Sequence, residues 1–449
     1  MSCVGVLLLE CHVGRKNFVD MLVELEPRIR SDQPGRLASL KFPFLRRLAV
    51  IGDESEGGAM ESWAAFLDRG RAMSAAMVEA TAAAVAPADV AALFLSSGST
   101  NRPKGILSSH RAVAIQCWRW RRMLGLGDDV RCWTANGLIW SGNFGNALAA
   151  TLASGGALVM QRIFDPAEAL ELMQSERVTL PHAWPHQWAQ LAAAPSWAAA
   201  DLSSLRYVDP GKPAVHHPSY SGFGWSEPRW CYGNTESFTI TSGYPANTAA
   251  EVAGNSNGVP LPGNTIKIVD PGTGAPLPRG EQGEIAVRGP TLMMGYIGVP
   301  RDATLDEEGF FRTGDNGHID EQGRLHFAGR LSDIIKTGGA NVSPAEIDGV
   351  LGTCPGVKIG LSVGIPHATL GEMVVACVVP QLGSLPEESR IRDHLKARLA
   401  SYKVPRRILL VREDELVLTG SAKIRSGALR EIALRRLAAE SDAPDQAKG

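Results

Sequence analysis

A loop rich in glycine and hydroxyl side chains follows directly after a short apolar run, and this order constrains the fold more than any other feature of the chain. The apolar run covers residues 91–95 and the loop covers residues 96–105. Glycine lets backbone amides turn toward an anion, while hydroxyls and a lysine add donors and positive charge. The pattern predicts a phosphate site, although on its own it also fits a solvated turn. The candidate phosphate contacts are Ser97, Gly98, Ser99, Thr100 and Lys104.

The spacing of this loop argues against a Walker-type ATPase. Counted from Gly98, the Gly-x4-Gly-Lys-[Ser/Thr] pattern requires glycine at position 103 and Ser or Thr at position 105. The chain has Pro103 and Gly105 at these positions. The loop therefore indicates a different class of phosphate-binding protein.

Composition indicates a multidomain globular protein that binds small molecules. The chain has 449 residues and a net charge of −2, which provides no field for nucleic acid or anionic lipid. The seven cysteines include no Cys-x-x-Cys pair, which argues against a disulfide framework or a zinc site. The early apolar run at residues 4–9 is too short for a membrane span, and no basic segment precedes it. We therefore expect a cytoplasmic protein.

Helical and strand patterns alternate along most of the chain, which favours a layered α/β fold. Asp165 and Pro166 predict the N-cap and first position of a helix that continues over residues 167–176. The β-branched runs at 265–269 and 284–287, separated by Pro and Gly, predict a small barrel-like subdomain. Beyond residue 338, a helix, apolar strands around 357–364 and 372–379 and a helix near 388–400 predict a separate small α+β domain.

Further motifs follow the phosphate loop in an order that resembles the adenylate-forming superfamily. This superfamily contains acyl-CoA synthetases, aryl-acid ligases, luciferases and the adenylation domains of nonribosomal peptide synthetases. The resemblance covers nearly the whole chain. The motifs are Tyr-Gly-Asn-Thr-Glu at 232–236, Gly-Glu-Ile-Ala-Val-Arg-Gly at 283–289, Phe-Arg-Thr-Gly-Asp at 311–315, Gly-Arg-Leu-Ser-Asp-Ile-Ile-Lys at 329–336, a glycine loop and helix at 338–347, and Gly-Ser-Ala-Lys-Ile-Arg at 420–425.

The resemblance implies two domains within an α/β fold. The first, residues 1–331, would be a large adenylate-forming domain of layered α/β subdomains with a small β-barrel-like subdomain. The second, residues 332–437, would be a small mobile α+β domain. The tail at 438–449 has no periodic apolar face, so we expect it to be disordered.

The resemblance also implies that ATP activates a carboxylate as an acyl adenylate, with release of pyrophosphate, before the acyl group passes to CoA. Lys423 would bridge the carboxylate and the α-phosphate and offset the repulsion between two anions. Glu236 would bind Mg²⁺ and Thr235 would contact the α-phosphate. The other nucleotide contacts would be Tyr232, Gly233 and Asn234 at adenine and Asp315 with Arg330 at the ribose. Without the other motifs, Lys423 would also fit a solvated lysine of a loop, Glu236 a carboxylate at the start of a helix, and Asp315 an aspartate in a turn.

Transfer to CoA would require the C-terminal domain to rotate about a hinge near Ser332. Gly338 and Gly339 would then line a tunnel for the thiol. Three positions depart from the family pattern: Ser332 replaces the usual Asp or Lys, and Asn101 and Ala422 replace glycine. Alanine does not reach positive φ without strain, so the departure at 422 bears most directly on activity.

The acid pocket is implied at Trp140, Asn143 and Phe144, together with the segment that begins at Gly211. Residues 139–144 contain no carboxylate, and an unpaired ammonium is costly to bury, so amino-acid substrates are disfavoured. Lys212 fits either a second carboxylate of the substrate or simple exposure to solvent.

The favoured function is a stand-alone carboxylate:CoA ligase for an organic or fatty acid, with ATP, Mg²⁺ and CoA. One alternative is an acyl-AMP ligase that loads a separate carrier protein. Another is a shortened homologue of weak activity, because the phosphate loop begins earlier here than in the family, at residue 96. A shortened sheet would expose a strand edge, which a homo-oligomer would bury.

Overall fold

The computed structural model of the protein describes residues 3–52, 57–96, 104–338, 340–416 and 426–441. The chain divides into two units, Met1–Asp89 and Val90–Gly449. The described helices include none that is both long enough and apolar enough to cross a membrane.

The first unit is built on a parallel sheet of three strands, in the order Val6–Glu10, Arg47–Ile51 and Met60–Ser62. Leu48 and Val50 of the central strand are fully buried and belong to the core of this unit. A small hairpin joins His12–Val13 to Lys16–Asn17. The helices of this unit are Phe18–Leu25, Arg28–Ser31, Trp63–Asp68 and Ala75–Ala83, with a 3-10 turn at Arg69–Ala72.

The second unit begins with strands and helices that form α/β layers, as the alternating sequence pattern predicts. Its parallel sheet has the strand order Leu180–Pro181, Arg131–Thr134 and Ala157–Met160. The predicted helix is confirmed as Pro166–Ser175, because the side chain of Asp165 accepts hydrogen bonds from the N–H groups of Ala167 and Glu168. The other α-helices before residue 300 are His110–Leu124, Ser141–Asn143, Ala150–Ala153, Pro185–Ala193 and Ala250–Ala253, and Phe144–Ala149 is a π-helix.

The second unit also contains antiparallel sheets. One contains Val90–Ser96, Lys104–Ser109 and Gly295–Tyr296, and a short pair joins Ser242–Gly243 to Val259–Pro260. A four-stranded sheet has the order Thr265–Val269, Gly283–Arg288, Phe311–Ile319 and Leu325–Arg330. The strands predicted at 265–269 and 284–287 are therefore confirmed. Short 3-10 helices lie at Trp197–Ala199, Pro213–His216, Arg301–Ala303, Leu331–Asp333, Ser401–Lys403 and Glu413–Glu415.

The last part of the chain forms a mixed sheet with helices, which confirms the predicted α+β character. The strand order is Ala340–Val342, Ile335–Thr337, Gly371–Pro380 and Val357–His367, and Arg407–Leu410 pairs in parallel with the third of these strands. The helices are Pro344–Leu351, Glu388–Lys396 and Ser426–Ser441. The last helix extends to Ser441, so residues 438–441 are helical where disorder was predicted, and the rest of the predicted tail lies outside the described residues. Strong helix formers such as Ala, Leu, Arg and Glu dominate this segment and sustain the helix.

Candidate functional site

Tyr232, Asp315 and Arg330, predicted from separate motifs, lie together at one end of the four-stranded sheet. Asp315 and Arg330 are paired across the antiparallel strands Phe311–Ile319 and Leu325–Arg330. Arg330 Nε lies 2.9 Å from Asp315 Oδ1, and Tyr232 Oη donates a hydrogen bond of 2.7 Å to Asp315 Oδ2. Burial and the negative charge of Asp315 raise the pKa of Tyr232 far above its usual value, so the phenol remains a neutral donor.

The residues before Asp315 fix its direction through local hydrogen bonds. Thr313 Oγ1 accepts the N–H of Asp315 at 3.1 Å and itself donates to the carbonyl oxygen of Ile285 at 2.7 Å. Gly314 has φ of +71°, a conformation that favours glycine, and its N–H donates to Glu284 Oε1 at 2.9 Å. The Thr-Gly-Asp sequence therefore forms an irregular part of the strand Phe311–Ile319 that holds the carboxylate of Asp315 toward Tyr232.

The segment that starts at Tyr232 folds back on itself as a tight loop. The carbonyl oxygen of Tyr232 accepts the N–H of Thr241 at 2.7 Å, and Tyr232 N–H donates to Ser242 at 3.0 Å. Gly233 is required at this closure, since an added Cβ would lie 2.1 Å from the carbonyl oxygen of Thr239. Asn234 Oδ1 accepts the N–H of Ser237 at 2.9 Å and caps the turn that follows. The loop consequently presents residues 232–236 as one fixed unit.

A second cluster joins Glu236 to the described end of the phosphate loop. Lys104 begins the strand Lys104–Ser109, and its Nζ lies 5.0 Å from the centroid of the Tyr296 ring. Tyr296 Oη donates to Glu236 Oε1 at 2.8 Å. Burial and the charge of Glu236 raise the pKa of Tyr296 well above its usual value. Thr235 lies beside this cluster, with its Oγ1 3.4 Å from Ser141 Oγ.

The oxygen ligands of this second cluster fit a magnesium ion that also binds phosphate. Mg²⁺ is usually held by one or two carboxylates together with substrate phosphates, and Glu236 offers one carboxylate beside the hydroxyl of Thr235. Within the described ranges, no group of three or more His, Cys, Asp or Glu side chains is placed to hold a metal by itself. The residues present therefore suit a metal delivered with the nucleotide.

The residues predicted for the acid pocket fall into two places. Trp140 precedes a short helix, and Asn143 is buried there with its Nδ2 donating to the carbonyl oxygen of Asn136 at 2.7 Å. Phe144 begins the π-helix, an element that is frequent at functional sites. Gly211 lies in a separate turn, where its N–H donates to Asp209 Oδ1 at 3.0 Å.

Phe144 also packs edge to face against two further aromatic rings, at 5.8 Å from Phe94 and 6.0 Å from Phe238. These rings come from the strand before the phosphate loop and from the loop after Glu236. The aromatic cluster thus joins three elements of the candidate site.

Lys212 pairs with a protein carboxylate. Its Nζ lies 3.2 Å from Glu227 Oε1, so its charge is matched within the protein. Burial and the nearby charge of Lys212 lower the pKa of His182 to about 4, which keeps this imidazole neutral near pH 7.

The predicted hinge and tunnel residues lie in the linker and the hairpin after it. Ser332 is in the 3-10 turn Leu331–Asp333, and its Oγ donates to Asp333 Oδ1 at 3.2 Å. Gly338 has φ of +57° and donates its N–H to the carbonyl oxygen of Leu370 at 2.9 Å. The remaining predicted residues lie outside the described residues: Ser97, Gly98, Ser99, Thr100, Asn101, Gly339, Ala422 and Lys423.

Sequence patterns did not identify several residues that complete these clusters. Tyr296 and Ser141 contact Glu236 and Thr235, and Phe94 and Phe238 pack on Phe144. Tyr296 reaches Lys104 because Gly295–Tyr296 pairs antiparallel with residues 106–107, far away in sequence. A strand of only two residues has no periodic pattern in the sequence, so Tyr296 could not be identified from local signals.

Comparisons with known proteins agree with this geometry. The family described as AMP-binding enzyme matches residues 36–297, and its C-terminal domain family matches residues 346–423. A feruloyl-CoA synthase of Amycolatopsis sp is 36% identical over 76% of this chain and 70% of its own length. An indoleacetate–CoA ligase of Aromatoleum aromaticum is 32% identical over 78% of this chain and 69% of its own length.

Among solved structures, ATP-bound MatB from Rhodopseudomonas palustris superposes with a TM-score of 0.68 and 26% identity, covering 95% of this chain and 88% of that one. The predicted resemblance and fold class are confirmed. The chain belongs to the family of AMP-binding enzymes, the adenylate-forming ligases that activate acids with ATP and transfer them to CoA.

Proposed function

We propose that this chain is a CoA ligase for an aromatic monocarboxylic acid. The observation that carries the proposal is the pair of clusters that meet on the 232–236 loop: Tyr232 with Asp315 and Arg330 on one side, Glu236 with Tyr296 and Lys104 on the other. The first cluster offers carboxylate oxygens that can accept hydrogen bonds from hydroxyl groups, together with an aromatic ring. The second cluster offers a cation and a carboxylate. A nucleoside triphosphate needs both kinds of group.

In the proposed reaction, a carboxylate oxygen attacks the α-phosphate and the bond to pyrophosphate breaks. Asp315 and Arg330 would hold the ribose, and Tyr232 would form one wall for adenine. Lys104 and Thr235 would contact phosphate oxygens, and Glu236 would hold Mg²⁺, which neutralises phosphate charge when bound. Positive charge fixed at the site before reaction stabilises the charge that develops in the transition state. Lys423, outside the described residues, remains the predicted bridge between the two anions.

In the second step, the thiol of CoA attacks the acyl carbon and AMP leaves with the carboxylate oxygen. Ser332 would serve as the hinge, and Gly338 would line the tunnel for the thiol. The proposed acceptor is CoA, since the two curated relatives described above are named as a CoA synthase and a CoA ligase. A carrier protein as acceptor is the alternative that omission of CoA tests.

The aromatic class of the acid is supported by two observations. The curated relatives act on feruloyl and indoleacetate groups according to their names, and the residues predicted for the acid pocket include Trp140 and Phe144, with Phe94 packed on Phe144. Lys212 is paired with Glu227, so its charge is already balanced without a second carboxylate of the substrate. A monocarboxylate therefore fits better than a dicarboxylate.

The test is a panel of acids incubated with the protein, MgATP and CoA, with acyl-CoA quantified by mass spectrometry. The panel contains a hydroxyarylpropenoic acid, an indole acid, an alkanoic acid of similar length, an aryl dicarboxylic acid and phenylalanine. We expect kcat/KM for an aromatic monocarboxylate to exceed that for the alkanoic acid by at least about tenfold, or about 1.4 kcal/mol. Equal turnover of the alkanoic acid would contradict the aromatic assignment, and acyl-AMP without acyl-CoA would assign a carrier protein as acceptor.

A further inference from the structure

Two polar side chains of the helix His110–Leu124, Gln116 and Trp120, bond to the loop that carries the candidate site, and a third, Arg119, contacts Gln116. Gln116, Arg119 and Trp120 are spaced i, i+3 and i+4, which places them on one face of the helix. Gln116 is 0% exposed and Arg119 is 2% exposed. Side chains of this kind are rarely buried unless their donors are used. Their partners therefore indicate what the helix face does.

The amide of Gln116 donates to the backbone of the loop. Gln116 Nε2 lies within hydrogen-bond distance of the carbonyl oxygens of Phe238 and Ile240, the second at 3.0 Å, with that of Ser237 at 3.4 Å. Arg119 Nη1 lies 3.4 Å from Gln116 Oε1. The arginine thereby fixes which end of the glutamine amide faces the loop.

The backbone that Gln116 holds is in an unfavourable conformation. Phe238 has φ of 54° and Thr239 has φ of 80°, a region that β-branched and bulky residues seldom occupy. Strain of this type persists only when the surroundings enforce it, and it is frequent at functional sites. Trp120 adds a second restraint, because its Nε1 donates to Thr239 Oγ1 at 2.8 Å.

The strained pair is bonded directly to the candidate nucleotide contacts. Phe238 N–H donates to the carbonyl oxygen of Thr235 at 3.1 Å, and Thr239 N–H donates to that of Asn234 at 2.9 Å. A relaxation of φ at 238 or 239 would therefore move Thr235 and its neighbour Glu236. Gln116 itself lies outside the two clusters and acts on them through this backbone.

We infer that Gln116 is a positioning residue for the nucleotide-binding loop at residues 232–236. Its amide holds Phe238 and Thr239 in their strained conformation, so that Thr235 and Glu236 meet the phosphates in the right place. This inference rests on the proposed function, because it assigns nucleotide contact to the loop.

The test replaces Gln116 with Met, which has a similar size but no donor. The affinity for AMP is measured by titration calorimetry without acid or CoA, and steady-state kinetics give the KM values for ATP and for the acid. A lost hydrogen bond to a charged phosphate weakens binding by about 10- to 100-fold. We therefore expect the AMP Kd and the KM for ATP to rise by about 10- to 100-fold, with the KM for the acid unchanged. If Gln116 had only a structural role, the substitution would lower the amount of folded protein, but the folded fraction would keep its AMP Kd and its KM for ATP.

Gln161→Met is the matched control. Gln161 is a buried glutamine whose Nε2 donates to the carbonyl oxygen of Asp165 and to Glu168 Oε2, both at 2.9 Å, so these hydrogen bonds join it to residues 165–168 rather than to the 232–241 loop. This variant should retain the AMP Kd. Trp120→Phe removes the restraint on Thr239 and should shift the AMP Kd in the same direction as Gln116→Met, which provides a readout if that variant does not fold.

An AMP Kd that stays unchanged in Gln116→Met, or in Trp120→Phe if the first variant does not fold, overturns the inference. The inference is also overturned if Gln161→Met raises the AMP Kd as much as Gln116→Met does. Failure of the proposed function is distinct, since it would appear in the unmodified protein as absence of acyl-CoA with every acid or as absence of AMP binding.

Discussion

Asp315→Asn isolates the charge at the centre of the first cluster. The substitution keeps the shape of the side chain and one acceptor oxygen for Tyr232, but it removes the negative charge beside Arg330. If Asp315 holds the ribose hydroxyls, its oxygens must act as acceptors, and the amide turns one of them into a donor. The variant should therefore bind ATP more weakly while its fold is retained.

The contacts of Asp315 set the expected size of two effects, the loss of stability and the weaker binding of ATP. A hydrogen bond to a charged group contributes about 1.5–3 kcal/mol and a neutral one about 0.5–1.5 kcal/mol, so the buried contact with Tyr232 should lose about 1 kcal/mol. Arg330 is 52% exposed, so solvent screening limits the loss of its ion pair to less than about 1 kcal/mol. Two ribose hydroxyls would lose about 1 kcal/mol each, and a total of about 2 kcal/mol corresponds to about a 30-fold rise in the KM for ATP.

The assay measures pyrophosphate release at varied ATP, and urea denaturation gives the free energy of unfolding. Asp320→Asn is the control, because Asp320 lies on the adjoining turn of the same sheet and is paired with Arg324 at 2.7 Å and His326 at 2.9 Å. That variant should lose stability without a change in the KM for ATP. An unchanged KM in Asp315→Asn, or an equal rise in both variants, would refute the reasoning.

Three further predictions concern other parts of the site. Gly233→Ala places a Cβ 2.1 Å from the carbonyl oxygen of Thr239, so denaturation should show a loss of about 1–3 kcal/mol, whereas Gly142→Ala, at a helical position with nothing within 4 Å of the new Cβ, should leave the free energy of unfolding unchanged or raise it by up to about 1 kcal/mol. Glu236→Gln should raise the Mg²⁺ concentration for half-maximal pyrophosphate release about tenfold, and an unchanged Mg²⁺ dependence would exclude Glu236 as a ligand. The pKa of His182 is lowered to about 4, so the unfolded chain binds this proton below about pH 6.5 while the native protein does not. The free energy of unfolding should therefore fall by about 2 kcal/mol between pH 7 and pH 5, and His182→Asn should remove that part of the pH dependence.

Local signals in the sequence predicted the elements that depend on neighbouring residues. The N-cap at Asp165 and the strand at residues 265–269 were identified from side-chain capping and β-branched periodicity, and both are confirmed. The meeting of Tyr232 with Asp315 and Arg330 was implied by motif order, and the structure brings these residues together. The roles assigned to them remain predictions.

Contacts that depend on long-range pairing were not predictable from local pattern. Tyr296 reaches Glu236 because a two-residue strand pairs across a wide sequence separation, and no periodicity marks it. Gln116 lies in an ordinary amphipathic helix, and its role depends on positive φ at Phe238 and Thr239. Neither Phe nor Thr signals such a conformation in the sequence, because the strain is enforced by tertiary contacts.

The central claim is that this protein joins an acid to the α-phosphate of ATP through a carboxylate oxygen and then transfers the acyl group to the thiol of CoA, with AMP as the leaving group. It can be tested by supplying an aromatic acid labelled with oxygen-18 in its carboxylate, together with MgATP and CoA. The mass of the AMP that is formed is then measured by mass spectrometry. The account predicts that AMP carries one labelled oxygen, because the acyl carbon–oxygen bond breaks when CoA attacks. Release of unlabelled AMP alongside acyl-CoA would contradict an acyl-adenylate intermediate and the account built on it.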